Sequence, residues 1–131
     1  MPARILFVED NVSLGENLCE IVGISGYDAA AVTCAEAALA EIATKRVDLV
    51  VTDHRLPEMT GASLLTTLRS IGNRLPAVIV TEWVSDDAAE TARRTGTEVL
   101  SKPIDIKRLL SVIEKQLAGK ASSITRRTPR H

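Results

Sequence analysis

The chain has 131 residues, 45% of them hydrophobic, which is room for one domain with a real core and not for two. Its three aromatics, Phe7, Tyr27 and Trp83, are too few for the stacking platforms of single-strand nucleic-acid readers. The net charge is −1, but Lys120, Arg126, Arg127 and Arg130 lie in a tail without acids, which leaves −5 for residues 1–118 and argues against direct nucleic-acid binding.

Short apolar runs alternate with helical stripes along the chain. Ile5 to Val8 reads as a buried strand; Leu14, Leu18, Ile21 and Val22 then share one helix face, which Gly26 should end. Residues 28–32 read as an Ala-rich edge strand, Ala38, Leu39 and Ile42 as the next helix, and Val47 to Thr52 as the third strand. Pro57 and Gly61 bracket a loop before a helix marked by Leu64, Leu65, Leu68 and Ile71. Ala77 to Val80 is the fourth strand. Residues 86–95 form a helix whose thin, Ala-based stripe predicts loose docking. Val99 and Leu100 make a short fifth strand, and Ile106, Leu109, Leu110, Ile113 and Leu117 place one stripe on a last helix. The domain is expected over 1–118, with 119–131 a basic, disordered tail.

Cys19 and Cys34 lack metal-ligand spacing and fall in helical segments, where they are expected to be reduced and half-buried. No run reaches spanning length, and Glu9-Asp10 cut off the first apolar run before it could act as a signal segment, so a cytoplasmic location without a membrane partner is expected.

Strands alternating with helices imply an α/β fold, a parallel sheet covered on both faces. Ligands of such sheets bind beyond the carboxyl ends of the strands. Glu9, Asp10, Asp53, Thr81 and Lys102 all stand at those ends. Three carboxylates repel one another and call for a cation; oxygen-only donors with room for water and phosphate suit Mg2+. Three acids, one Mg2+ and one lysine sum to zero, a neutral site for an incoming phosphoryl group. Asp53 stands alone at its strand end and is the candidate nucleophile, with Glu9 and Asp10 on the metal side and Thr81 and Lys102 as donors to phosphoryl oxygens.

Four segments in this order, Glu9-Asp10-Asn11, Asp53 through Gly61 with Pro57, Thr81, and Lys102-Pro103, carry a resemblance from about Arg4 to Ala118. The chain resembles the receiver domains of the two-component response-regulator family, in their stand-alone single-domain form. The resemblance implies a flavodoxin-like (βα)5 three-layer sandwich with a five-stranded parallel sheet of order 2-1-3-4-5. It implies that Asp53 takes a phosphoryl group from a histidine kinase or a histidine phosphotransfer protein and then switches binding of a downstream effector protein. Mg2+ would be held by Asp10, Asp53 and the backbone carbonyl of Arg55, with Glu9 assisting through water. Self-catalysed phosphorylation and slow hydrolysis of the acyl phosphate would be its only enzyme-like activities.

The chain departs from the family pattern at two positions. Val99 stands where receivers usually carry an aromatic that reports phosphorylation, and Glu82 stands where a small residue follows the threonine. Both lend weight to an alternative, a phosphorylation-independent interaction module of the same fold. The resemblance implies that Arg55 and Trp83 flank the phosphoryl group, either stacked on each other or with Trp83 free for a partner. His54 is expected to be a solvated loop histidine. A haloacid-dehalogenase-type phosphatase would need a second Asp at the position of Arg55, and a dinucleotide-binding protein would need a Gly-rich loop at Glu9-Asp10-Asn11.

Overall fold

The computed structural model describes residues 2–126, with side chains described through residue 119. Five strands alternate with five helices: β1 (Arg4–Val8), α1 (Val12–Ile24), β2 (Asp28–Val32), α2 (Ala35–Thr44), β3 (Leu49–Asp53), α3 (Gly61–Ser70), β4 (Ala77–Thr81), α4 (Asp86–Thr95), β5 (Glu98–Ser101) and α5 (Ile106–Arg126). Every strand pair is parallel and the order is β2-β1-β3-β4-β5, the expected three-layer arrangement.

The unbroken apolar runs follow from burial on both faces. Side chains alternate along a strand, so Ile5, Phe7, Val51, Val78 and Val80 pack with Leu18, Val22, Leu109 and Ile113 of α1 and α5. Leu6, Val8, Val50, Ala77 and Ile79 pack on the other side with Ala38, Leu64, Leu65 and Leu68 of α2 and α3. β3 and β4 are buried at every position, while the Ala-rich β2 is only half covered, as suits an edge strand.

Capping residues set boundaries that apolar spacing missed. The third helix begins at Gly61, which apolar spacing assigns to the preceding loop, because the Thr60 side chain accepts from the Ser63 N–H at 3.0 Å. The third strand begins at Leu49, two residues later than Val47; Asp48, just before it, accepts from the Arg4 N–H at 2.8 Å. The last helix does not stop near Ala118 but continues through Gly119 to Arg126; Lys120 and Ala121 are good helix formers, and the next proline is Pro129. The expected disordered tail is therefore helical in backbone over 119–126, and its remainder, residues 127–131, lies outside the described residues.

α4 is held differently from the other helices. Ser85 caps it, Asp86 and Asp87 open it, Arg93 and Arg94 close it, and Gly96 ends it in the left-handed region at φ 69°. It buries only Ala88 and Thr91, so its inward face is as thin as the stripe predicted.

Candidate functional site

The sheet order places β1 beside β3 and β3 beside β4, so the segments leaving their carboxyl ends converge. Ladder hydrogen bonds run one residue past the strands: Glu9 N–H to Val32 O at 2.9 Å, His54 N–H to Val80 O at 2.9 Å and Lys102 N–H to Thr81 O at 2.8 Å. The backbone at these positions is thus fixed by the sheet rather than left to loops.

Glu9, Asp10 and Asp53 each bring a carboxylate oxygen to one place, all within 4.8 Å of one another. Lys102 Nζ donates to Glu9 Oε1 at 3.1 Å and to Asp53 Oδ2 at 3.2 Å, tying β5 to β1 and β3. Glu9 is 5% exposed and Asp53 8%, whereas Asp10 faces solvent. Burial pushes the Glu9 carboxyl above its ordinary range and the Asp53 charge adds to this, while the Asn11 N–H at 3.1 Å and Lys102 pull it back. For Lys102 burial works against the charged form, but the bonds and charges of Glu9 and Asp53 outweigh it and hold the ammonium above its usual value. One lysine against three carboxylates leaves negative charge over. The all-oxygen donor set fits a hard divalent cation.

Thr81 is 1% exposed, and its hydroxyl is engaged within its own loop: it donates to Trp83 O at 2.9 Å and accepts from Trp83 N–H at 3.2 Å. The cluster therefore comprises four of the five strand-end residues, with Thr81 turned to the β4–α4 loop. Arg55 is exposed, bridges to Thr60, and has its N–H 3.4 Å from Asp53 Oδ1. Glu82 is exposed and pairs with no cation among the described residues; Trp83 is 73% exposed. Val99 is half-buried against the α2–α3 core, and Pro103, exposed, follows a cis peptide bond.

His54 departs from expectation. It is 7% exposed rather than solvated, because the β3–β4 ladder continues through it and strand alternation turns its side chain inward, away from that of Asp53. Its Nε2 lies 3.4 Å from Ser85 Oγ and 4.0 Å from Asp87 Oδ2, at the start of α4. The missed signal was the Val80 carbonyl, which pairs a residue beyond the apolar run.

A cavity of about 370 Å³ at the opposite edge of the sheet is lined by Arg69, Arg74 and Lys115 among others and shares no residue with the acidic cluster.

Comparison with known proteins agrees with this geometry. The family model described as the response regulator receiver domain matches residues 5–114. A response regulator receiver protein of Anaeromyxobacter sp. (strain Fw109-5) is 41% identical over 83% of this chain and 46% of its own length. The response regulator protein FleR of Pseudomonas aeruginosa is 34% identical over 91% of this chain and 25% of its own, and the transcriptional regulatory protein ZraR of Salmonella typhimurium 35% over 87% and 26%. The chain thus spans about half of the first relative and about a quarter of the other two. Among solved structures, the signal receiver domain of a putative Luxo repressor protein from Vibrio parahaemolyticus superposes with a TM-score of 0.85 at 26% identity, covering 100% of both chains. A response regulator receiver domain from Methanospirillum hungatei shares the fold with a TM-score of 0.87 at 24% identity, over 94% of this chain and 99% of that one. With its matched segment taking in all five strands but for Arg4, and every member of the acidic cluster, the chain belongs to the response regulator receiver domain family.

Proposed function

We propose that Asp53 accepts a phosphoryl group from the phosphohistidine of a histidine kinase or a histidine phosphotransfer protein, and that the acyl phosphate switches binding to a downstream effector protein. The observation that carries this reading is the Lys102 ammonium shared between the buried carboxylates of Glu9 and Asp53 at 3.1 and 3.2 Å, with Asp10 at the rim. Mg2+ would be held by Asp10, Asp53 and the Arg55 backbone carbonyl, with Glu9 assisting through water, and when bound it supplies positive charge toward phosphoryl oxygens.

An Asp53 carboxylate oxygen attacks phosphorus as the P–N bond of phosphohistidine breaks; the bonding electron pair leaves with the imidazole nitrogen, which takes up a proton. Lys102 then exchanges its Asp53 partner for a phosphoryl oxygen, and Thr81 gives up its bond to Trp83 O to donate to another. Water later cleaves the acyl phosphate slowly, which returns Asp53 to its free carboxylate. Effector and kinase contacts are assigned to α1, α4 and α5, with no direct contact to nucleic acid. A cytoplasmic setting agrees with the lack, among the described residues, of a helix long and apolar enough to cross a membrane.

Intact mass after incubation with Mg2+ and acetyl phosphate tests the reading. Wild type should gain one phosphoryl group and Asp53→Asn none. No adduct on wild type, with the small donor or a cognate kinase, would favour the phosphorylation-independent module, and an adduct persisting on Asp53→Asn would overturn the site.

A further inference from the structure

We propose that His54 is a positioning residue that ties the N-terminus of α4 to the end of β3 and holds the β4–α4 loop in its resting conformation; the proposal deepens the phosphoacceptor reading and rests on it for what releases the tie.

His54 is held on both sides of its backbone, its N–H donating to Val80 O at 2.9 Å and its carbonyl accepting from Gly61 N–H at 2.8 Å. It is therefore a fixed post, one residue from Asp53. The ring reaches across to Ser85 Oγ at 3.4 Å, with the Asp87 carboxylate behind at 4.0 Å. Ser85 is itself the cap of α4, accepting from Ala88 N–H at 3.1 Å.

The other ring nitrogen explains why this contact is more than packing. Nδ1 is buried and has no hydrogen-bond partner among the described residues. A buried polar atom left unpaired is costly, and an aliphatic side chain at this position would avoid that cost. What histidine adds over an aliphatic is Nε2, and its one reach is to Ser85 and Asp87. Placing the ring proton on Nε2 makes it the donor and leaves Nδ1 as an unpaired acceptor.

The tie matters because little else anchors this end of α4. The helix buries only Ala88 and Thr91, and the loop before it exposes Glu82, Trp83 and Val84. That loop is pinned at two points, at Thr81 through its hydroxyl bonds with the Trp83 backbone and at Ser85 through His54. When Thr81 turns to a phosphoryl oxygen the first pin opens, and the strength of the second sets how readily the loop and the first turn of α4 follow. His54 thus sets the resting bias of the switch.

The test uses amide hydrogen exchange of the unphosphorylated protein, together with emission from Trp83, the single tryptophan. In His54→Leu, exchange at the first turn of α4 should rise about three- to tenfold, the size of one lost hydrogen bond, with β1, β3 and β4 unchanged. Emission should move toward the value that wild type reaches with Mg2+ and beryllium fluoride. His54→Gln, whose amide N–H replaces Nε2–H, should restore both, and His54→Asn, too short to reach Ser85, should not; this polar pair decides the matter if the leucine variant folds poorly. Unchanged α4 exchange in His54→Leu, a rise spread evenly over the sheet, or equal behaviour of the Gln and Asn variants would overturn the tie. These readings need no phosphate, so failure of the phosphoacceptor role is seen separately, as a wild type that does not respond to beryllium fluoride.

Discussion

Gly61 joins the packing of the domain to its chemistry, and adding one methyl group there tests the join. A Cβ built on Gly61 would lie 2.6 Å from the Asp53 carbonyl oxygen, 3.1 Å from Thr52 Cγ2 and 3.2 Å from His54 Cα. Two of the three are backbone atoms of the strand end that carries Asp53, so no side-chain rotation relieves the clash. Forced overpacking of this kind costs about 1–3 kcal/mol. The gain in helix propensity from Gly to Ala, at most about 1 kcal/mol, is smaller still at a first helical residue. With about 2.1 cal/mol/K of unfolding entropy per residue, 1 kcal/mol moves Tm by about 3.6 °C in a chain of 131 residues. Gly61→Ala should therefore melt about 4–11 °C below wild type and take up phosphate from acetyl phosphate more slowly, because β3 must shift to admit the methyl. Gly23→Ala is the matched control. It lies near the end of α1 with nothing within 4 Å of its would-be Cβ, and should gain about 0.5 kcal/mol, or about 2 °C. Thermal unfolding by circular dichroism reads both, and a Gly61→Ala protein melting at or above wild type would refute the packing argument.

Removal of the α1 cap in Asn11→Ala, which loses the bond from Leu14 N–H at 3.1 Å, should lower stability by about 1 kcal/mol in urea unfolding. Lys102 has its folded value raised above 10.5, so its stabilising contribution is complete below that pH and is lost as pH rises through the folded value. Wild type should accordingly lose more stability than Lys102→Met as pH rises beyond about 10.5; equal slopes would show that the ion pairs do not persist in solution. Burial, helped by the Glu16 charge, raises the Cys19 thiol, so at pH 7.5 it should react with a maleimide more slowly in the folded protein than in urea.

The sheet was legible because its strands are buried on both faces, which forces continuous apolar runs, and because the acids and the lysine follow those runs directly. Glu9, Asp10, Asp53 and Lys102 needed only strand order to meet. The start of α3 was less legible, since Thr60 defines it by a capping bond that apolar spacing does not record, whereas α4 begins at Asp86 as its sequence implied. Cys19 and Cys34 are both half-buried thiols, but only Cys19 lies in a helix; Cys34 precedes α2 in extended backbone rather than falling within the helical segment expected for it. His54 was misread for a related reason. Its neighbours Asp53 and Arg55 look like the start of a loop, and only the pairing with Val80 shows that the strand geometry extends through it.

That extension also bears on how a signal leaves the site. Val50, Thr52 and His54 share a face of β3, Ile79 and Thr81 the same face of β4, and Val99 that of β5, the side covered by α2, α3 and α4. In the family pattern an aromatic at the position of Val99 couples the threonine to this face through packing. A valine has no ring to turn and no polar tip, and here it is half-buried in an aliphatic cluster that gives it one stable place. A change at Thr81 therefore has little purchase on β5. It has direct purchase on the chain that follows it, because Thr81 Oγ1 holds the Trp83 backbone and Ser85, two residues on, is the cap of α4. With the packing route weak and the covalent route short, a switch acting through Thr81 would move the loop 82–85 first. It would re-aim the exposed Trp83 and Val84 rather than act on the β5 edge.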